Sequence, residues 1–483
     1  TRALVWLLAL PWGMMLPASG AAQLADTVTF TALGQYQFPY SLGSISSSAF
    51  SCRIDRLDRP FVYVCCSELG LVTFSIADPL APVPIDTIPA AALGGLAVNN
   101  VEQLGDLLYV SVGGFEDGQQ EAGLATVSVS DPSAPVILDL WSDPAFLNGA
   151  AICAVKDSLA FLGAMDDGVI VLNVSDPGAI MFVSSFQPDT VWPGIVNYPP
   201  QARGMAIKDD VLFLCYDAGA FRALSISDPY QLAQLGQYIN PMHPNFTAIA
   251  HNNVTLVGDH AIVAYDFCGF EVIDVSDPGD MQQVSWVDPW NCFGLSWFGS
   301  DGHTNELVTA SGDSILLISA ADSELLAYRI DDLASPSLIG SYGPPNDSAA
   351  TWGFDRHGDL IVLCYLNNSF IPIPQPFHSN YGGIRLLSWS QDLGITIADR
   401  LSIDALRLFP NPVHAHVTIE VQGSDAPYTV DLIDGQGRTV LRSTSVARNG
   451  AIGIDVSALE VGWYTALVQH QEAFLRSPLL VVH

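Results

Sequence analysis

One short phrase recurs along the chain and ends each time in Asp-Pro. Its copies are FSIADP, VSVSDP, LNVSDP, LSISDP and IDVSDP, with aspartates at Asp78, Asp131, Asp176, Asp228 and Asp277 and spacings of 53, 45, 52 and 49 residues. Alternating apolar residues predict a β-strand, and Asp-Pro predicts its end, because proline cannot donate to a ladder and aspartate favours turns. A period near fifty residues predicts a repeat architecture built from small sheets.

Each repeat is predicted to contain four short antiparallel strands, the fourth of which follows the Asp-Pro turn. Two weaker copies, at 327–342 and 382–392, bring the number of units to seven. The last unit lacks a fourth strand of its own. Residues 33–36 repeat the LGQY of the fourth strand at 235–238, so the segment 29–36 is predicted to complete that unit and protect its edge. The sequence therefore predicts an all-β, seven-bladed β-propeller; six blades plus an irregular unit is the alternative.

Over residues 45–392 the repeated text resembles that of the LVIVD-repeat propellers, whose units end in similar V-x-D-V-S-D-P phrases. This resemblance implies an architecture and no particular activity. We place the propeller at 23–395, behind a secretory signal peptide at 1–22. Arg2, an apolar run at 3–16 and small residues at 18–22 have the order of such a signal.

The repeating sequence pattern ends near residue 395. A linker at 396–405 leads to FPNP at 409–412, and then to DGQGR, DVSAL and GWY. Together these pieces resemble the C-terminal sorting domain of type IX secretion substrates, which implies a small β-sandwich at 406–483. The matching sorting-motif residues are Pro410, Asn411, Pro412, Gly437, Arg438, Gly462 and Tyr464.

The resemblance implies the type IX secretion machinery as a partner, and an extracellular or outer-surface location on a Gram-negative bacterium. Whether the protein is released or attached stays open. No transmembrane segment is expected in the mature chain. Fifty acidic residues against seventeen Lys and Arg give a formal charge of −33, which excludes nucleic acid as a plausible partner.

No cofactor is predicted, although calcium could use acidic clusters in turns. The clusters are Asp166-Asp167, Asp209-Asp210, and Asp301 with His303 and Glu306. Of the eight cysteines, Cys268 and Cys292 flank one turn and are the predicted disulfide. Most of the others lie in predicted apolar strands, where buried thiols are expected.

Long connections fall at the propeller end opposite the Asp-Pro turns, and loops on a rigid scaffold commonly carry binding. The ligand-binding candidates on that face are Trp192, Tyr198, Trp286, Asp288, Trp290, Tyr342 and Tyr381. Aromatic rings suit stacking on sugars or anchoring of peptides. The alternative is that these rings only pack the loops against the blades.

A second set of candidates comes from the starts of the inner strands, which face the central channel. They are Arg53, Glu102, Arg203, His251 and Asp355. We expect a non-enzymatic binding or adhesion protein for a glycan or protein, because H-E-x-x-H, G-x-S-x-G and phosphate-loop motifs are absent. The alternatives are an extracellular enzyme acting on polysaccharide or peptide at the channel, and a structural surface-layer component.

Overall fold

The computed structural model describes residues 27–39, 48–114, 120–189, 199–242, 250–290, 292, 302–344, 349–367, 379–392, 407–420, 427–434, 438–448, 450–470 and 473–482. The predicted signal peptide and linker lie outside these ranges. One compact unit covers Thr27–Gln391, and the other includes Asp392–His483. Within the described ranges there are strands and two short 3-10 turns but no α-helix. None of these elements is a helix with the length and apolar character needed to cross a membrane.

The described part of the larger unit forms seven four-stranded sheets. The first three are β2–β5 (Ser51–Ile54, Phe61–Cys65, Leu71–Ser75, Val83–Ile88), β6–β9 (Val98–Leu104, Leu107–Val112, Ala122–Ser128, Val136–Asp143) and β10–β13 (Ile152–Lys156, Leu159–Gly163, Val169–Asn173, Met181–Phe186). The next three are β14–β17 (Gly204–Lys208, Val211–Cys215, Phe221–Ser225, Ala233–Tyr238), β18–β21 (Val254–Val257, His260–Ala264, Phe270–Asp274, Gln282–Val287) and β22–β25 (Leu307–Ala310, Ile315–Ser319, Leu325–Arg329, Ser337–Tyr342).

The N-terminal strand completes the seventh sheet. This sheet contains β26 (Thr351–His357), β27 (Leu360–Asn367) and β28 (Asn380–Asp392), and β1 (Thr27–Gln37) is hydrogen-bonded beside β28. The prediction that the LGQY segment joins the last unit is therefore confirmed. The strand covers the edge that β28 would otherwise leave open.

Contacts between the sheets run in a closed circle. The first strand of each sheet contacts the first strand of the next, and β26 of the last sheet contacts β2 of the first. The hydrophobic core is shared in the same way, because Val62 and Phe74 of the first sheet pack with Val362 and Cys364 of β27. Sheets packed face to face around a circle make this unit a β-propeller.

The recurring phrase forms the same turn in every described copy. Each of its five aspartates accepts a hydrogen bond through Oδ1 from the backbone N–H two residues on, at 2.9–3.0 Å. Asp332 makes the same bond to the Ala334 N–H at 3.0 Å, which identifies the turn of the weaker sixth copy. The aspartate thus ends the third strand by offering the backbone a local partner.

One position in the fourth strand touches the Asp-Pro turn of the next sheet. At Gly236 an added Cβ would lie 2.2 Å from the Pro278 carbonyl oxygen. In other sheets a serine holds this position, and Ser184 donates its hydroxyl to the Pro229 carbonyl at 2.6 Å. The first two sheets carry Asp86 and Asp139 at the same register position, so the contact differs from sheet to sheet, and at Gly236 it leaves no room for a side chain.

The smaller unit has two sheets around one core. One contains β29 (Arg407–Phe409), β30 (His416–Glu420) and β33 (Ala451–Asp455), and the other contains β31 (Pro427–Ile433), β32 (Thr439–Val446), β34 (Gly462–His470) and β35 (Ala473–Val481). Val417 and Ile419 of the first sheet pack in the same core as Val430, Leu432 and Val468 of the second. This is the arrangement of a small β-sandwich.

Candidate functional site

The first strands of all seven sheets surround one cavity of about 430 Å³. We call it the axial channel. Each sheet contributes at least one lining side chain from its first strand: Ser51, Asn100, Ile152, Met205, Thr255, Val308 and Phe354. A cavity reached by every sheet of a rigid ring is a preferred place for a ligand site.

Three of the five channel candidates meet in one ion-pair cluster. The Arg53 guanidinium donates to Glu102 at 2.7 Å and to Asp355 at 3.3 Å. Asp355 also accepts from Arg56 at 2.6 Å and from the Ile54 N–H at 2.7 Å, and only 1% of its surface is exposed. Since Asp355 belongs to the last sheet and its partners to the first, this cluster joins the two ends of the circle.

Glu306 also lines the channel, although the sequence analysis considered it only as a calcium ligand. It lies directly before β22, and its Oε1 accepts hydrogen bonds from Asn253 Nδ2 at 2.8 Å and from the Leu307 N–H at 3.1 Å. Burial raises the pKa of Glu306 to about 7, against the opposing effect of Arg53. The channel thus contains a carboxyl group that changes charge near neutral pH.

One end of the channel is lined by residues at or just before the starts of the first strands, and five of these residues are asparagines. The lining includes Asn99, Asn100, Asn252, Asn253, Asn305, Arg203 and Trp352. We call this end the channel mouth. Some of these amides also join neighbouring sheets, because Asn99 donates to the Ala150 carbonyl at 2.8 Å and Asn252 to the Thr304 carbonyl at 3.0 Å. No recurring phrase marks this ring of amides in the sequence.

Arg203 connects the mouth to a buried carboxyl group. Its guanidinium lies 3.4 Å from Asp217 and 5.6 Å from the centre of the Trp352 ring. Burial raises the pKa of Asp217 to about 6, which Arg203 opposes and Asp266 reinforces. The Oδ1 atom of Asp217 is buried and accepts no hydrogen bond within the described structure.

Replacing Asp217 with asparagine is expected to stabilise the protein at pH 8. The folded-state pKa exceeds the ordinary value, so this carboxyl group contributes stability below about pH 4 that is lost as the pH rises through about 6. Asp217→Asn should raise the free energy of unfolding by about 3 kcal/mol at pH 8 and far less at pH 4. Urea denaturation at both pH values, with exposed Asp359→Asn as control, measures this; an equal change at both would contradict it.

His251 is not a channel residue. Its side chain is fully buried, with Nε2 3.0 Å from Glu271 and its ring 4.7 Å from that of Tyr265. His251 lies ahead of β18, which begins at Val254, and its ring packs against Phe221 and Tyr265 instead of facing the cavity. Asn252 and Asn253 reach the mouth in its place.

The aromatic candidates on the long-loop face pack against the protein where they are described. The Trp286 indole donates to the Cys268 carbonyl at 2.8 Å, and Trp290 packs against the core between two sheets. Asp288 accepts from the Trp290 N–H at 3.2 Å and the Cys292 N–H at 2.7 Å. The predicted disulfide between Cys268 and Cys292 is present, with Cα atoms 5.2 Å apart.

The remaining aromatic candidates differ in accessibility. Tyr342 is half-buried, whereas Tyr381 is only 7% exposed and donates its hydroxyl to the Ile384 carbonyl at 3.2 Å. Trp192 and Tyr198 lie outside the described residues. A ligand-stacking role for these rings stays a prediction, and the buried ring of Tyr381 would have to move to take part.

Among the described residues, no group of three His, Cys, Asp or Glu side chains is placed to hold a metal ion. Asp210, one of the calcium candidates, accepts instead from Lys156 at 2.6 Å. His303 pairs with Asp266 and contacts Trp352, while Asp301 lies outside the described residues.

The sorting-motif residues occupy structural positions in the sandwich. Asn411, between Pro410 and Pro412, accepts from the Leu480 N–H at 2.9 Å, which ties the FPNP segment to the last strand. Arg438 donates to Asp434 at 2.9 Å, and Tyr464 donates to the Glu460 carbonyl at 2.8 Å. Gly462 begins β34, and Gly437 lies outside the described residues.

Two family models match parts of the chain. Residues 407–481 match the secretion system C-terminal sorting domain, and residues 250–288 match the LVIVD repeat. No curated protein matches the chain. The chain therefore carries an LVIVD repeat and a type IX sorting domain, and the sorting domain indicates a secreted or surface-displayed protein that engages the type IX machinery.

Several solved structures are similar to this chain. One from the mitotic checkpoint complex is 10% identical with a TM-score of 0.50, over 76% of this chain and 98% of that one. The WD40 β-propeller domain of Doa1 is 12% identical with a TM-score of 0.46, over 75% and 96%. PorZ, an essential surface component of the type IX secretion system of Porphyromonas gingivalis, is 14% identical with a TM-score of 0.42, over 88% and 64%. At these identities the similarity concerns the fold alone.

Proposed function

We propose that this protein is a non-enzymatic binding protein of the Gram-negative cell exterior, built on a seven-bladed propeller in which each four-stranded sheet is one blade. Its ligand, a glycan or protein outside the cell, binds at the channel mouth. One observation carries the proposal: all seven first strands converge on a channel whose mouth presents amides, Arg203 and Trp352. Amide and aromatic groups on a rigid scaffold suit recognition of polar ligands.

The charge distribution supports binding over catalysis. Arg53, Glu102 and Asp355 are committed to one another at hydrogen-bond distances, so they hold the channel together. The sparse cations elsewhere are also paired between sheets, as in Lys208 with Asp259. These pairs leave a strongly acidic protein that would stay soluble outside the cell.

The test is an array of extracellular glycans and proteins probed with the intact protein. Trp352→Ala should weaken binding at least tenfold, because an aromatic group in the middle of a binding site usually dominates the affinity. Trp463→Ala is the matched control, since that indole is exposed in the sorting domain. Trp290→Ala reports separately on the long-loop face. Absence of any extracellular ligand, or unchanged binding by Trp352→Ala, would contradict the proposal, and a loss confined to Trp290→Ala would indicate the long-loop face instead.

An enzyme remains a second candidate because of one observation. Glu306 faces the channel with a pKa of about 7, a value suited to a general acid. Hydrolysis of a bound polysaccharide or peptide, abolished by Glu306→Gln, would favour this candidate. Intact ligand recovered after prolonged incubation would favour binding alone.

A further inference from the structure

The axial channel has an apolar wall and a charged wall. Ile152 of β10 with Met205 and Ile207 of β14 line it from two adjacent sheets. Arg53, Glu102 and Glu306 line it from other sheets of the circle. A uniformly polar ligand would leave the apolar wall in contact with water, and an aliphatic ligand would leave the charged wall without a partner. The cavity therefore suits a ligand with both characters.

The charged wall carries an excess of negative charge. Two arginines, Arg53 and Arg56, face two carboxylates, Glu102 and Asp355, in one connected cluster. Glu306 is a third carboxyl group without an ion-pair partner of its own among the described residues. When Glu306 is ionised, the cluster and Glu306 together carry a net charge of about −1. Charges in the cavity are less well hydrated than charges on the protein surface. A bound cation would be attracted there and an anion repelled.

Glu306 also has an oxygen to offer. Both of its hydrogen bonds, from Asn253 Nδ2 at 2.8 Å and the Leu307 N–H at 3.1 Å, go to Oε1. Within the described residues, Oε2 receives none. The side chain is only half-buried, so this acceptor can be reached from the cavity.

We propose that the axial channel binds a primary ammonium group on an aliphatic stem, with the ammonium at Glu306 and the stem against Ile152, Met205 and Ile207. This inference rests on the proposed function and names the chemistry of the ligand. A small alkylamine and a lysine side chain of an extracellular protein offer the same group. An ammonium brings three donors and a positive charge, and its stem buries apolar surface.

The binding should depend on pH. The groups around Glu306 are Arg53, which favours its ionised form, Asp355 and Glu102, which oppose it, and Asn253. Arg203 lines the mouth together with Glu306 but is paired with Asp217. With a pKa of about 7, Glu306 is mostly neutral at pH 6 and mostly ionised at pH 8, while an alkylammonium stays charged throughout. The affinity for the ammonium should therefore rise about tenfold between pH 6 and pH 8.

Titration calorimetry of the intact protein with hexylammonium tests the proposal, with 1-hexanol and hexanoate as uncharged and anionic probes of similar length. We expect hexylammonium to bind at least tenfold more tightly than either. Glu306→Gln should weaken hexylammonium about tenfold at pH 8 and abolish the pH dependence, whereas Glu68→Gln, at an exposed site, should change nothing. Equal affinity for hexanol, or unchanged binding by Glu306→Gln, would overturn the proposal.

A second variant tests the stem and does not alter any charge. Replacing Ile207 with serine should remove most of the affinity gained between butylammonium and hexylammonium; an unchanged gain would show that the stem lies elsewhere. Peptides distinguish a free alkylamine from a lysine side chain as the natural ligand. A lysine tripeptide that binds more tightly than hexylammonium would indicate a protein ligand, and tighter binding of hexylammonium would indicate a free amine. If a ligand found on the array binds Glu306→Gln as tightly as wild type, the ammonium proposal fails while the binding role stands.

Discussion

Replacing Asp355 with alanine is expected to lower the free energy of unfolding of the propeller by about 3 kcal/mol. Asp355 is almost fully buried and accepts from Arg53, Arg56 and the Ile54 N–H. Its removal leaves two guanidinium groups and one buried N–H with lost partners. The two arginines are partly exposed, so water can hydrate their guanidinium groups after Asp355 is removed. The expected loss of stability is therefore at the low end of the range for a broken buried ion pair.

Guanidinium denaturation followed by circular dichroism measures this loss. Asp359→Ala is the matched control, because Asp359 is exposed in the next turn of the same sheet, and it should change stability by less than about 0.5 kcal/mol. Asp355→Asn should fall between the two, since the amide keeps an acceptor for Ile54. A loss in Asp355→Ala no larger than in Asp359→Ala would mean that this cluster does not help to close the circle.

Replacing Gly236 with valine is expected to destabilise the propeller by a similar amount, about 3 kcal/mol. The new Cβ would lie 2.2 Å from the Pro278 carbonyl oxygen, a distance that requires the backbone of one sheet to move away from its neighbour. The obstacle is backbone rather than a flexible side chain, so the strain cannot be relieved by a rotamer change.

Ala233→Val provides the control for Gly236→Val. It adds methyl groups to the same strand, at an exposed position away from the neighbouring turn. We expect it to be neutral or slightly stabilising, because valine favours strands. Equal melting temperatures for the two variants would show that the contact between sheets is looser than the structure has it.

Local chemistry explains what could be predicted from the sequence. The Asp-Pro pair ends a strand through a local hydrogen bond, such as the one from the Gly279 N–H to Asp277. The copy that contains Asp277 could therefore be recognised without any tertiary information. The place of β1 was also predictable, because its LGQY text repeats that of β17. The flanking positions of Cys268 and Cys292 similarly predicted their disulfide.

The channel was harder to predict because its residues come from separate sheets and share no phrase. The inner-strand rule nominated Arg53 and Glu102, which line the cavity, and Asp355, which is buried beneath them as the partner of Arg53. It also nominated His251, which lies ahead of β18 and is fully buried. Along the chain, Glu306 belongs to a cluster with Asp301 and His303, which predicts a calcium ligand and not a channel residue. Its role follows only from the register that brings it to the same cavity as Arg53.

The central claim is that the sheets close into a circle that β1 completes. Amide hydrogen exchange along β28, in the intact protein and in a variant lacking residues 27–38, tests it most directly. We predict strong protection of the β28 amides that face β1, loss of that protection by at least a hundredfold in the variant, and recovery when a peptide of residues 27–38 is added. Equal protection of β28 with and without β1 would contradict the claim.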